Sequence, residues 1–97
     1  MTVAKKSDAE KLAKVLSAKK LSACTQIIGP ITSVYFWKGK TEQAKEWLCL
    51  IKTSQKNYQK LEKAIKEIHP YELPEIIATP IIDGSREYLG WMDKQIQ

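Results

Sequence analysis

The stretch Ile31–Lys40, with the sequence ITSVYFWKGK, decides the fold of this chain. Its side chains alternate with the two-residue period of a β-strand, which places Tyr35 and Trp37 on one face and Val34 and Phe36 on the other. The Lys-Gly-Lys that ends the stretch is typical of a tight turn. The stretch therefore predicts one arm of a β-hairpin together with its turn.

The return arm of this hairpin is the apolar run Trp47–Ile51, WLCLI. The first arm extends back to residue 22, so that residues 22–37 form one long β-rich stretch. Gly29-Pro30 interrupts it, and because proline cannot donate to a strand ladder we expect a bend or bulge there. The two arms together predict a long β-hairpin.

Amphipathic helices are predicted on both sides of the hairpin. Before it, Ser7–Glu10 matches a capping box, and apolar residues recur at helical spacing through a helix of residues 8–20. After it, a second helix is expected to begin at a cap formed by Ser54 or Asn57. This helix ends at His69-Pro70, because the residue before a proline is pushed out of the helical region.

A strand is predicted beyond each of these helices. Met1–Ala4 is a short extended start, and Pro74–Ile82 is a last strand that Asp83–Ser85 turns into a terminal helix. The resulting order, β-α-β-β-α-β-α, is that of an α+β, ferredoxin-like fold, an antiparallel sheet with helices on one face. Residues 1–97 are expected to form a single domain, because chains of this length hold one core.

The hairpin carries more apolar surface than one small chain can cover. Large apolar side chains lie on both of its faces, whereas two helices cover only one face of a sheet. A chain of 97 residues and 11.1 kDa has too small a core to bury the remainder. We therefore expect a homo-oligomer.

The composition, 43% hydrophobic and 28% charged, is that of an ordinary globular protein. No apolar run approaches the roughly 20 residues that cross a bilayer, and the start of the chain lacks the apolar region of a signal peptide. We therefore expect no membrane partner. Cys24 and Cys49 lie in no metal-binding motif, and two reduced thiols predict a cytoplasmic protein.

The net charge of +5 is unevenly distributed along the chain. Residues 1–66 hold 14 Lys and 5 acidic residues, whereas residues 67–97 hold 2 basic and 6 acidic residues. Only one of the basic residues is Arg, the side chain that phosphate and base recognition favour. Four Lys at helical spacing indicate a solvated helix face, so a nucleic-acid-binding domain is the less favoured interpretation. These are Lys56, Lys60, Lys63 and Lys66.

Five segments resemble, in order, the motifs of one known family. They are Lys20–Cys24 (KLSAC), Ile31–Lys40, Glu46–Thr53 (EWLCLIKT), Ile68–Glu75 (IHPYELPE) and Glu87–Trp91 (EYLGW). On this resemblance, which spans residues 7–93, the sequence is identified as a member of the CutA family of divalent-cation tolerance proteins. The resemblance implies a PII-like homotrimer with inward-facing sheets that binds copper or another divalent metal. A PII-like module that signals through a small ligand or a protein partner is the alternative.

His69, the only histidine, is the first candidate metal ligand that this resemblance suggests. Imidazole suits copper and zinc, and the nearby carboxylates Glu72 and Glu75 could complete a shell, with ligands from a neighbouring subunit. The alternative is a structural histidine that binds a backbone carbonyl at a helix end. No obligatory cofactor is expected, and copper or another divalent metal is the expected ligand.

A polar cleft between subunits is the second predicted site. Lys52 lies in an apolar strand and must reach the edge of the sheet or pair with a carboxylate, for which Glu75 is the candidate. Such an ion pair could equally specify the register of the trimer, and the aromatic residues could serve only to pack the interface. The predicted lining is Tyr35, Trp37, Lys52, Tyr71, Glu75 and Trp91.

No catalytic motif is present in the sequence. No nucleophile has a histidine at recognisable spacing, and no Gly-rich loop is built to hold a phosphate. We expect a binding or regulatory protein without catalytic activity.

Overall fold

The computed structural model describes all 97 residues. Three strands form one antiparallel sheet, with three helices and one 3₁₀ turn around it. In chain order the elements are β1 (Thr2–Val3), α1 (Lys6–Ala18), β2 (Cys24–Trp37), β3 (Lys40–Lys52), the 3₁₀ turn (Gln55–Asn57), α2 (Tyr58–Ile68) and α3 (Arg86–Gln95). The strand order is β1-β3-β2, and the predicted α+β, ferredoxin-like class is confirmed.

The long hairpin is confirmed as the pair β2 and β3. Its register aligns the two strands from Cys24 opposite Lys52 to Trp37 opposite Lys40. Strand β2 carries one residue more than β3 where it passes Gly29-Pro30, which is the predicted bulge. Both residues of the connecting turn have positive φ.

The hydrophobic core lies between one face of the sheet and the helices α1 and α2. Trp47, Cys49 and Ile51 alternate along β3 and point into it, as the two-residue period of a strand requires. The remaining buried members of the core are Met1, Val3, Ala9, Leu12, Leu16, Leu21, Leu61, Ala64 and Ile65. The opposite side of the sheet, which we call the open face, has no helix of the core against it.

Helix α1 begins and ends two residues earlier than predicted. Two amides of its first turn bond to the carbonyl of Lys5, so Lys5 occupies the cap position and the predicted capping box of Ser7 is wrong. At the other end Lys20 adopts a left-handed φ of 57°, which closes the helix after Ala18.

Helix α2 ends where the sequence predicts. Its last residue is Ile68, and His69 is extended, with φ −73° and ψ 132°. Asn57 occupies the cap position of α2, as predicted, but neither Ser54 nor Asn57 makes a capping bond with its side chain. The Asn57 side chain is buried instead and donates to the backbone carbonyl of Gln97.

The terminal helix α3 follows the predicted turn Asp83–Ser85. The Ser85 hydroxyl accepts a hydrogen bond of 3.2 Å from the amide of Tyr88, which caps the helix. Met92 is the buried residue of α3, so the helix lies on the surface of the chain.

The predicted strand Pro74–Ile82 is wrong for the single chain, and the sheet has three strands instead of four. A strand needs a neighbour to complete its backbone hydrogen bonds, and no strand of this chain pairs with the segment. Two of its residues are prolines that cannot donate at all. Most of its apolar side chains are left exposed, Ile77 by 75% and Ile82 by 93%, whereas Ile76 packs against the core.

The molecule is long and exposes much surface for its size. It measures 45 × 26 × 21 Å, and the hairpin strands of 14 and 13 residues set the long dimension. Its accessible surface is 7130 Å². A folded monomer of this mass exposes about 5,700 Å². The chain therefore carries surface that a compact monomer would have buried.

Gly29 is a position where a side chain cannot be added. A Cβ there would lie 2.5 Å from Cε3 of Trp47 and 3.1 Å from the backbone oxygen of Glu46. We expect Gly29→Ala to lower the free energy of unfolding by about 1–3 kcal/mol through overpacking, measured by denaturant unfolding.

The matched control for this substitution is Gly90→Ala in α3, where nothing lies within 4 Å of the added Cβ. Because alanine is the better helix former, this variant should be neutral or more stable by up to about 1 kcal/mol. Equal stability of the two variants would contradict the close packing of Trp47 on Gly29.

Candidate functional site

A cleft lies on the open face of the sheet, between the outer half of the hairpin and the segment Pro70–Glu75 that follows α2. Its volume is about 760 Å³. We call it the Glu46 cleft, and its lining residues are Thr2, Ser33, Val34, Tyr35, Trp37, Glu46, Pro70, Tyr71, Glu72, Leu73 and Glu75. The hairpin register explains the hairpin wall, because Ser33, Tyr35 and Trp37 share one face of β2.

Glu46 is the buried carboxylate of the cleft, with a relative exposure of 6%. Burial alone would raise the pKa of Glu46, but hydrogen bonds from Ser33, Tyr71 and Thr2 outweigh it and hold the pKa below its ordinary value of 4.5. The Tyr71 hydroxyl donates to Glu46 Oε2 at 2.7 Å. Glu46 is therefore a carboxylate at neutral pH, held by hydroxyl groups.

Tyr71 connects this carboxylate to the segment after α2. Burial, and then its hydrogen bond to the charged Glu46, raise the pKa of Tyr71 far above its ordinary value of 10. The phenol therefore remains protonated and continues to donate. Its ring packs edge-on against His69, with the ring centroids 4.8 Å apart.

His69 is buried, and both of its ring nitrogens are engaged. Nδ1 accepts the backbone N–H of Tyr71 at 3.1 Å, so Nε2 carries the proton and donates to the carbonyl of Thr2 at 2.9 Å. The ring thereby ties the segment after α2 to β1. Within the chain His69 therefore has a structural role, in which it binds a backbone carbonyl at a helix end. The sequence analysis gave this role as the alternative to a metal ligand.

The two other residues of the predicted metal set lie at the mouth of the cleft. Glu72 is exposed, and its carboxylate lies 3.8 Å from the ammonium of Lys38 in the hairpin turn. Glu75 is half exposed, 3.9 Å from the amino group of Met1. No three histidine, cysteine or acidic side chains of the chain converge into a group that could hold a metal ion. A single chain therefore does not form a complete metal shell from His69, Glu72 and Glu75.

Four of the six residues predicted for the intersubunit cleft line the Glu46 cleft, namely Tyr35, Trp37, Tyr71 and Glu75. Two do not. The Lys52 ammonium donates to the side-chain oxygen of Gln26 at the other end of the hairpin, so the predicted pair with Glu75 is wrong within the chain. Trp91 lies on α3, where it packs on Tyr88 with the ring centroids 5.6 Å apart.

The sequence analysis missed the carboxylate at the centre of the site. Glu46 shares a face of β3 with Leu48 and Leu50, because alternate residues of a strand point the same way. A single carboxylate in line with apolar residues needs hydrogen-bond donors, and this was the signal that could have identified it. The hydrogen-bond donors of Glu46, Ser33 and Thr2, are distant from it in sequence, so no local motif predicts them.

The charge of the cleft opposes that of the chain. Three carboxylates line it, those of Glu46, Glu72 and Glu75, and Lys38 at its rim is the side-chain cation that contacts them. The chain as a whole carries a net charge of +5. The lysines of α2 lie on its exposed face, as predicted.

Fold and cleft together define a small α+β protein with a ferredoxin-like sheet whose open face holds a carboxylate-lined cleft. The family profile described as CutA1 divalent ion tolerance protein matches residues 1–95. The chain belongs to this family.

Individual relatives agree with the family match. The chain is 41% identical over 92 residues to the divalent-cation tolerance protein CutA of Thermus thermophilus, covering 95% of this chain and 89% of that protein. The crystal structure of CutA1 from Oryza sativa superimposes with a TM-score of 0.96 at 38% identity, over 99% of this chain and 88% of that one. The periplasmic divalent cation tolerance protein CutA from Archaeoglobus fulgidus superimposes with a TM-score of 0.96 at 38% identity, over 99% and 93%.

The helices of the chain are short. The longest, α1, has 13 residues, and none combines the length and apolar character that crossing a membrane requires.

Because the folded-state pKa of Glu46 is lowered, its stabilising effect is complete above the ordinary value of 4.5 and is lost as the pH falls through the folded-state value. We expect Glu46→Gln to lower the free energy of unfolding by about 1–3 kcal/mol at pH 7, from its charged hydrogen bonds. The difference in stability between this variant and the wild type should narrow as the pH falls from 5 to 3. Thermal unfolding at each pH measures this difference.

Glu67→Gln on the exposed side of α2 is the matched control and should unfold like the wild type at every pH. A stability difference for Glu46→Gln that stays constant between pH 5 and pH 3 would contradict the stabilised carboxylate.

Proposed function

We propose that this CutA1 family member is a homotrimer that binds cations at the Glu46 cleft and acts in divalent-cation tolerance in the cytoplasm, without catalysing a reaction. The observation that carries the proposal is an acidic cleft on a basic chain: three carboxylates line one cleft of a chain whose net charge is +5. Such a cleft attracts cations and repels phosphate and other anions.

The exposed area supports an assembly in a closed ring. The accessible surface exceeds that of a compact monomer by about 1,400 Å², and a standard interface covers about 800 Å² on each partner. The excess is therefore close to two interfaces per chain. A subunit of a ring has two different interfaces, whereas a twofold dimer needs only one, and the smallest such ring is a trimer.

Two apolar surfaces are the candidates for these interfaces. One is the outer hairpin, where Val34 and Phe36 are exposed by 63% and 72%. The other is the segment Pro74–Ile82, which finds no strand to pair with in its own chain. Strand β2 is an edge of the sheet with one side unpaired, so a neighbour's segment could pair there and become the strand that the sequence predicts.

Sedimentation equilibrium should give a mass of about 33 kDa, three times the 11.1 kDa chain, at micromolar concentration. Phe36→Asp and Ile77→Asp should each dissociate the trimer, because each places a charge in an apolar interface.

Gln59→Asp on the exposed side of α2 is the control and should leave the mass unchanged. A monomeric wild type, or a trimer that survives both interface substitutions, would refute the proposed assembly.

The protonation states in the cleft support binding rather than catalysis. Efficient general acids and bases have pKa values near the working pH. Here the pKa of Glu46 lies below its ordinary value and that of Tyr71 lies far above its own, so neither group exchanges a proton near neutral pH. The two cysteines, Cys24 and Cys49, are both free, which supports a reducing compartment such as the cytoplasm.

For a divalent metal such as copper, the residues of one chain offer an incomplete shell. Glu72 and Glu75 are accessible, whereas His69 would have to give up the Thr2 carbonyl or the Tyr71 amide before its ring could ligate. We therefore propose Glu72 and Glu75 as the metal ligands of the chain, completed by a neighbouring subunit, with His69 positioning the segment that carries them.

Copper titration at pH 7, followed by calorimetry, tests these roles. The double variant Glu72→Gln/Glu75→Gln should lose most of its affinity. Because His69 supplies no ligand, His69→Ala should keep most of the copper affinity and lose thermal stability instead.

Loss of copper binding in His69→Ala, with the trimer and its thermal stability intact, would make His69 the ligand. If the double variant binds copper as tightly as the wild type, neither carboxylate is a metal ligand.

The volume of the cleft favours one alternative function, signalling by a small ligand. About 760 Å³ is the size of a small-molecule site. A nucleic-acid-binding role has less support, because the chain has only one arginine in addition to its exposed lysines and because the cleft itself repels phosphate.

A further inference from the structure

We propose that the outward side of the two core helices binds inorganic polyphosphate, a linear phosphate chain without bases, through a group of exposed lysines. This surface lies on the opposite side of the sheet from the Glu46 cleft, so the inference goes beyond the proposed function. We call it the lysine field, and its central members are Lys11, Lys14, Lys56, Lys60, Lys63 and Lys66.

The positive charge of the chain is concentrated on this side of the molecule. Residues 5–20 and 55–68, which hold α1, α2 and their flanks, contain ten lysines and four acidic residues, a balance of +6. The rest of the chain contains 6 basic and 7 acidic residues, a balance of −1. The whole positive excess of the molecule therefore comes from its helical layer.

Little of this charge is neutralised within the chain. Of the ten lysines only Lys66 forms an ion pair, 3.6 Å from a carboxylate oxygen of Glu62. Residues three apart on a helix lie about 5–6 Å from each other, and packed helices such as α1 and α2 lie about 8–10 Å apart. These separations are close to the screening length of about 8 Å at physiological ionic strength, so the potentials of the lysines add.

The lysine field offers charge and no other means of recognition. The one large apolar residue that α1 and α2 expose is Ile68, at the end of α2. Helices that lie in a membrane surface insert apolar side chains, stable protein interfaces bury aromatic or apolar anchors, and single-stranded nucleic acids stack on aromatic rings. The field has none of these groups, which leaves a soluble polyanion as the partner.

Lysine, rather than arginine, suits a phosphate chain without bases. Arginine forms the bidentate contacts that read bases and single phosphate groups, whereas the lysine ammonium binds phosphate as a point charge without a fixed geometry. The only arginine, Arg86, lies on α3, outside the field. In polyphosphate one bridging oxygen separates neighbouring charges, whereas in RNA a sugar stands between them. A row of lysines therefore meets more ligand charge on polyphosphate than on RNA.

The proposed trimer leaves the lysine field uncovered. Its candidate interfaces are the outer hairpin and Pro74–Ile82, whereas the field lies on the helices, across the core from the open face of the sheet. Each trimer then presents three fields. A phosphate chain long enough to reach two of them gains affinity through multivalency.

The probes are polyphosphate of about 100 phosphates and tripolyphosphate, its short form, and calorimetry measures their binding to the wild-type protein. The long chain should bind at least about a hundredfold more tightly per molecule. Its affinity should fall by roughly a hundredfold between about 50 and 200 mM salt, because the bound phosphates release their counterions. No binding of the long chain at low salt, or an affinity that does not depend on salt, overturns the proposal.

Two double variants locate the binding surface. Lys60→Gln/Lys63→Gln should weaken polyphosphate binding by about tenfold and reduce the slope of log affinity against log salt by about two. Both lysines are exposed and form no ion pair, and glutamine is a good helix former, so this variant should fold.

Lys38→Gln/Lys40→Gln removes the same charge at the hairpin turn and is the matched control. Its affinity for polyphosphate should stay within about twofold of the wild type, because these lysines lie outside the field. Equal loss of affinity in the two double variants overturns the proposed surface.

Two further probes test the class of partner. Single-stranded RNA with the same number of phosphates should bind at least about tenfold more weakly than polyphosphate, and vesicles with anionic lipid headgroups should bind weakly at physiological salt, since no apolar group inserts. RNA binding as tight as that of polyphosphate would make the surface a nucleic-acid site. Tight vesicle binding would make it a membrane site. Either result overturns the proposal.

The same samples separate this inference from the proposed function. Sedimentation and copper titration of Lys60→Gln/Lys63→Gln should match those of the wild type, because the field lies away from the cleft and the interfaces. A trimer that binds copper but not polyphosphate refutes this inference alone. A wild type that is monomeric and binds no copper, yet binds polyphosphate in a salt-dependent manner, refutes the proposed function and leaves this inference standing.

Discussion

A mismatch of length between the hairpin and the helices governs this structure. A β-strand rises about 3.3 Å per residue and a helix 1.5 Å, so β2 with 14 residues is about 46 Å long, whereas α1 with 13 residues is about 20 Å long. The two core helices therefore cover only the inner half of the hairpin. The outer half projects beyond the two helices, which leaves Val34 and Phe36 exposed, and this is the origin of the long shape, the large accessible surface and the space for a cleft.

The cleft exists because the segment after α2 is held against this projecting part of the sheet. Proline at position 70 ends the helix at Ile68, and His69 then ties the segment to the backbone of β1. Tyr71 completes the attachment by donating to Glu46 on β3. The Glu46 carboxylate on β3 and the His69 ring at the end of α2 thus hold the two walls of the cleft together, although neither residue belongs to a local sequence motif.

The sequence was informative wherever the structure follows from neighbouring residues. Side-chain alternation predicted the hairpin, Gly29-Pro30 predicted its bulge, and the proline after His69 predicted the end of α2. Prediction failed where the partner is distant in sequence or is not present within the chain. Pro74–Ile82 has the composition of a strand but no strand to pair with, and Lys52 finds Gln26 rather than Glu75.

The chain has two surfaces of opposite charge, which the net charge of +5 does not distinguish. The lysines of α2 lie on the outside of the helical layer, whereas the carboxylates Glu46, Glu72 and Glu75 lie on the opposite, open face of the sheet or at its edge. At physiological ionic strength charges are screened beyond about 8 Å, so a ligand in the cleft responds to the carboxylates and not to the distant lysines. The cleft therefore presents negative charge although the whole molecule is basic, and the net charge by itself is a poor guide to the local charge of its surfaces.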